Sequence, residues 1–88
     1  MTFRIERSTS GRRVTFSLSG EMDSSHVEEL ESLMAAEPNR LVSLHLAEVT
    51  VVTREAVKFL ARVDAAGVVL VDCPEYVRSW IDAERGGA

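Results

Sequence analysis

The sequence predicts an α/β protein: a small mixed four-stranded sheet in the order β-β-α-β-α-β-α, with helices mainly on one face. Three observations carry this. Three segments alternate apolar and polar residues, the period of a half-buried strand. Between and after them, apolar residues recur at helical spacing. The alternating segments have a polar second face, whereas a doubly wound sheet needs apolar residues on both.

Phe3-Arg4-Ile5-Glu6 alternates, Ser8-Thr9-Ser10-Gly11 reads as a turn, and Val14-Thr15-Phe16-Ser17-Leu18-Ser19 alternates again. These segments are expected to form an antiparallel hairpin, its second strand closed by Gly20. Asp23, Ser24 and Ser25 are successive candidate N-caps, and Ser25 with Glu28 has the spacing of a capping box. Val27, Leu30, Leu33 and Met34 follow at helical spacing, and Pro38-Asn39 ends that helix. Val42-Ser43-Leu44-His45-Leu46 is the third alternating strand.

The stretch from Leu46 to Val57 reads as a strand end, a short apolar loop at Val51-Val52 and the first turn of a helix. Thr53 is the N-cap, and Val52 and Val57 have the spacing of a hydrophobic staple across it. The helix runs from about Arg54 to Ala65 or Ala66, with Ala56, Val57, Phe59, Leu60 and Val63 inward and Gly67 as its C-terminal cap. Val68-Val69-Leu70-Val71 is continuously apolar: a strand covered on both faces, or one whose second face meets a partner. Pro74 suits the first position of a last helix, with Cys73 as its cap. Tyr76, Val77, Trp80 and Ile81 form that helix's buried stripe. Gly86 and Gly87 end it, so residues 1–85 are expected to be one domain and 86–88 a frayed C-terminus. Strands that follow helices should run parallel, through right-handed crossovers. The sheet's second face then carries Arg4, Thr15, Ser17, Ser43 and His45, open to water or a partner.

The bulk numbers narrow the function classes. Eighty-eight residues make one small domain, and 45% apolar residues are typical of a globular chain. A formal charge of -4 argues against nucleic acid and against an anionic membrane surface. One cysteine, Cys73, excludes an internal disulfide and the multi-cysteine zinc patterns. His26 and His45 lack metal-ligand spacing, so no metal or cofactor is expected. With no long apolar run and no signal-peptide pattern, the chain is expected to be cytoplasmic. No glycine-rich phosphate loop and no nucleophile–base motif points to an enzyme.

The site is expected at the second helix's N-terminus. A staple fixes the loop there, leaving Thr53, Arg54 and Glu55 exposed at the positive end of a helix dipole. Arg54 and Lys58 lie one turn apart on its outer side.

With these elements placed, the chain resembles the STAS family, the sulfate-transporter and anti-sigma-factor-antagonist domain, from Phe3 to Ile81. Leu18-Ser19-Gly20-Glu21-Met22-Asp23 is similar to the family's strand ending in Gly-x-Leu-Asp. Val42 to Val52 is similar to its strand followed by Leu-x-x-Val-x-x-Ile. Gly67-Val68-Val69-Leu70-Val71 and the short helix after it fit the family's ending. The resemblance implies a β-α superhelix with helices on one side. It also implies a stand-alone bacterial, non-enzymatic interaction module that binds a protein, in the family commonly a kinase-like anti-sigma factor. Members of that class carry Asp-Ser-Ser-Gly at the start of the second helix, and the partner kinase phosphorylates the second serine. This chain has Thr53-Arg54-Glu55-Ala56 there, which puts Glu55 at the phosphoacceptor position and removes the switch. His45 stands where the family commonly has a strand aspartate. The implied partner-binding residues are Met22, Asp23, Thr53, Arg54, Glu55 and Lys58, and the implied mode is phosphorylation-independent. Phosphorylation of Thr53 is a variant of that mode. The alternative is a small-anion or nucleotide-binding module at the helix N-terminus. A third reading is a homodimer through the apolar fourth strand or the open sheet face.

Overall fold

The computed structural model describes residues 3–37 and 41–86. Its elements are β1 (Phe3–Ser10), β2 (Arg13–Met22), α1 (Ser24–Ala35), β3 (Leu41–Val52), α2 (Arg54–Ala65), β4 (Val69–Val71) and α3 (Glu75–Gly86). The strands form one sheet in the order β1-β2-β3-β4. The β1–β2 pair is antiparallel, and β2–β3 and β3–β4 are parallel. This is the mixed four-stranded architecture that the alternation predicts.

The hairpin is tighter than the sequence implies. Ser8, Thr9 and Ser10 are paired, opposite Thr15, Val14 and Arg13, so only Gly11 and Arg12 connect the strands. Gly11 has φ 60°, the left-handed conformation that a two-residue hairpin connection demands.

Inward residues of β2 (Val14, Phe16, Leu18) and β3 (Leu44, Leu46) are buried together with Val27 and Leu30 of α1. Ala56, Val57, Phe59, Leu60 and Ala61 of α2, Val77 and Ile81 of α3, and Met22, Val49 and Val52 at the strand ends complete the core. The polar second face is only partly open. Ser43 is buried there, and the Arg13 guanidinium donates to its hydroxyl.

Strand β3 runs on through Val52, so the apolar loop expected at Val51-Val52 is strand instead. Its ladder with β2 shifts twice: Ser17 faces His45 but Ser19 faces Glu48, and Gly20 faces Val49 but Glu21 faces Val51. Each shift gives β3 one extra residue, a β-bulge. The bulges break strict alternation, so Leu44, Leu46, Val49 and Val52 are the buried set. Gly20 does not close β2. It sits at the second bulge with φ 95°, and the strand continues to Met22.

Four further expectations are corrected. The capping box of α1 is built by Asp23 and His26, not by Ser25 and Glu28. The strand ladder ends at the Met22–Val52 pair, so the chain turns into the helix at Asp23, two residues before Ser25. Strand β4 is a three-residue edge strand with Val69 exposed, since only Ser43 to His45 of β3 lie beside it. In α3, Arg78 N–H bonds to the Pro74 carbonyl, so Pro74 is the flanking residue and Cys73 lies one position further out. Tyr76 and Trp80 are exposed, and Val77 and Ile81 alone carry that helix's buried stripe. The helix ends at Gly86, the first residue of the stretch expected to fray, and residues 87 and 88 lie outside the described residues. The expected stop of α1 at Pro38-Asn39 lies outside the described residues.

Candidate functional site at two adjacent helix N-termini

Parallel pairing brings the ends of β2 and β3 together, with Met22 beside Val52. Each strand then passes straight into a helix, so Asp23 caps α1 next to Thr53, which caps α2. The two turns are bonded directly: Thr53 N–H donates to the Met22 carbonyl at 3.0 Å. Both helix dipoles therefore present their positive ends at one edge of the sheet.

The α2 turn is built as its sequence implies. Thr53 is extended, with φ -84° and ψ 169°, and its hydroxyl accepts from Ala56 N–H at 3.3 Å. Val52 and Val57 are both buried on either side of the cap. Arg54, Glu55 and Lys58 are exposed, and among the described residues no hydrogen bond or ion pair holds their side chains. The side of α2 on which Glu55 lies follows from helix geometry. Arg62 bonds Glu31 of α1 at 3.0 Å, and Glu55 is seven residues before it, on the same side of α2. Glu55 thus starts from the side of α2 that faces α1.

At that cap, the Asp23 carboxylate accepts from the Ser25 hydroxyl at 2.7 Å, Ser25 N–H at 3.0 Å and His26 N–H at 3.2 Å. The Ser25 hydroxyl, and after it His26 N–H, hold the Asp23 carboxyl below the usual carboxylate range. Met22 lies in the core, fully buried. It contributes a carbonyl to the turn and presents no side chain to a partner.

Helix α3, not expected at this site, also borders it. The Tyr76 hydroxyl donates to the Thr50 carbonyl at 2.7 Å, which sets the first turn of α3 against the end of β3. Val51, Tyr76 and Trp80 are all exposed large apolar residues. The available signal was width: Tyr76, Val77, Trp80 and Ile81 cover more of the helix circumference than contact with α2 alone conceals.

A separate hollow of about 140 Å³ opens on the uncovered sheet face, lined by Arg4, Glu6, Ser17, Leu18, Ser19 and Glu48. It holds none of the capping residues. Among the described residues, no cluster of three His, Cys, Asp or Glu side chains could hold a metal ion, and no helix is long and apolar enough to cross a membrane.

No family model matches the sequence, and no curated protein matches it. Solved structures do. The anti-sigma factor antagonist SpoIIAA, in its unphosphorylated form, superposes with a TM-score of 0.70 over 93% of this chain and 83% of its own, at 17% identity. Mglu matches with a TM-score of 0.64 and 26% identity over 80% of this chain, which spans 19% of Mglu. An uncharacterized DUF3478-family protein from Shewanella loihica, itself described as SpoIIAA-like in fold, gives a TM-score of 0.52 and 15% identity over 74% of this chain and 56% of its own. The strand order, the strand directions and these superpositions agree: the chain has the SpoIIAA-like fold, that of the STAS family its sequence resembles.

Proposed function

We propose that this chain is a non-enzymatic protein-interaction module of the anti-sigma-factor-antagonist kind, acting in the cytoplasm without a phosphorylation switch. One observation supports the reading above the others. The position that the resemblance assigns to the phosphorylated serine holds Glu55, an exposed carboxylate in the first turn of α2. A carboxylate carries less charge than a phosphate, so it reproduces part of the modified state permanently. Asp23, Thr53, Arg54 and Lys58 complete the proposed contact surface, and a kinase-like anti-sigma factor is the partner chemistry the resemblance implies.

The test is binding to a kinase-like protein encoded beside this chain's gene, with and without ATP. The wild-type chain should bind with one affinity in both conditions, weaker than unphosphorylated Glu55→Ser, because its carboxylate reproduces part of the modified state. Glu55→Ser should bind without ATP and be released with it, as the new hydroxyl is phosphorylated. Identical binding by wild type, Glu55→Ser and Glu55→Ala in both conditions would remove this position from the function.

A further inference from the structure

The cap of α1 contains a titratable group in a role that a carboxylate or an amide usually fills. In a capping box, the third helical residue is Glu or Gln, and its side chain accepts from the N-cap backbone. Here it is His26, whose Nδ1 accepts from Asp23 N–H at 3.3 Å. An imidazole nitrogen accepts only while it carries a lone pair. The bond therefore requires the neutral ring with its proton on Nε2.

The same Nδ1 lies 3.2 Å from Oδ1 of Asp23, and the side chain keeps 28% of its surface in contact with solvent. The ring stacks on Phe3 of β1, centroids 4.2 Å apart and planes within 19°. That contact fixes the plane of the ring in either charge state, since an imidazolium is also attracted to an aromatic face. The groups shown facing the ring are Asp23, on its own turn, and the uncharged Phe3 ring from β1. The other charged residues of the first turns of α1, Glu28 and Glu29, are exposed. On β1, Arg4 and Glu6 pair with each other at 3.2 Å.

We propose that His26 makes the α1 cap a proton-sensitive latch. When the ring takes a proton from solvent at Nδ1, that nitrogen changes from acceptor to donor. It then releases Asp23 N–H and bonds the Asp23 carboxylate instead. Asp23 N–H loses its partner, and it shares one peptide group with the Met22 carbonyl that holds Thr53 N–H. The charge state of one ring thus reaches the turn that joins the two helix caps. The inference concerns the cap alone and does not depend on any partner.

The test is an NMR titration of the free protein from about pH 8 to about pH 5, the window in which imidazoles change charge. The His26 ring nitrogens should show the Nε2–H tautomer at the high end. The Asp23 amide proton should move upfield as its acceptor is lost, with the midpoint of the His26 ring itself. In Glu's usual amide counterpart, His26→Gln, an acceptor is kept that does not titrate, and the Asp23 amide should stay flat over the same window. A flat Asp23 amide through the His26 transition of the wild-type chain would overturn the latch, and so would an equal step in His26→Gln. The wild-type titration decides even if the variant fails to fold.

Discussion

Thr53 N–H donates to the carbonyl of Met22 across the end of the sheet, so the residue that opens α2 is bonded to the one that precedes α1. Neither helix start can move without straining the other. The preorganised edge comes from parallel pairing, which aligns two strand ends, and from two caps that follow at the same step.

Replacing Thr53 by Ala removes the acceptor for Ala56 N–H. The expected cost is about 1 kcal/mol, that of a typical lost N-cap. Urea denaturation should show a lower midpoint at an unchanged slope, because the surface exposed on unfolding is the same.

Asp64 near the end of α2 accepts from Arg78 at 3.0 Å and Arg85 at 2.7 Å, both on α3. The hydrogen bond to Asp64 also raises Arg78 above its ordinary value. The Arg78 and Arg85 side chains are 37% and 47% exposed, so solvent screens part of the attraction. Asp64→Ala should cost about 1 kcal/mol and raise hydrogen exchange along α3 more than in the sheet.

The Asp23 carboxyl has a lowered pKa in the folded chain. It therefore stabilises the fold above its unfolded pKa, and that contribution is lost as pH falls through the lowered folded value. Denaturation midpoints measured across the acid range should fall less steeply for Asp23→Asn than for the wild type.

Burial pushes the Cys73 thiol up, with Arg78 opposing it. Less thiolate is then present at neutral pH, so iodoacetamide should modify Cys73 more slowly in the folded chain than in urea. The folded state keeps its thiol proton longer than the unfolded one, so this group reduces stability as pH rises through the thiol's unfolded value.

Tyr76→Phe removes one hydrogen bond, to Thr50, at an exposed position. Stability should fall by less than about 1 kcal/mol. The Trp80 emission spectrum should stay that of a solvent-exposed indole, since Trp80 does not depend on this bond for its exposure.

Local chemistry made much of this legible. Thr53, the Val52–Val57 pair and Gly67 are each specified by neighbours within a turn or two, and each stands where the sequence puts it. The Asp23–His26 box was harder to read, because histidine is not a usual third-position acceptor and Ser25 with Glu28 fits the pattern better. The bulges of β3 were not legible at all. They depend on the register against β2, a partner that begins more than twenty residues earlier. The exposure of Tyr76 and Trp80 was missed for a related reason: apolar spacing marks a helix face but not what lies opposite it. The arginine that covers Ser43 arrives from another strand, a nonlocal contact with no trace in the local pattern.

The two supernumerary residues of β3 have a consequence for how this surface tolerates change. Deleting one residue between Leu46 and Val51 would even out the hydrogen-bond ladder, yet turn Val49 or Val52 toward water and swing Thr53 around by half a pleat. Length in that segment, more than its composition, aims the second helix, so substitutions there should be survivable where single-residue deletions are not.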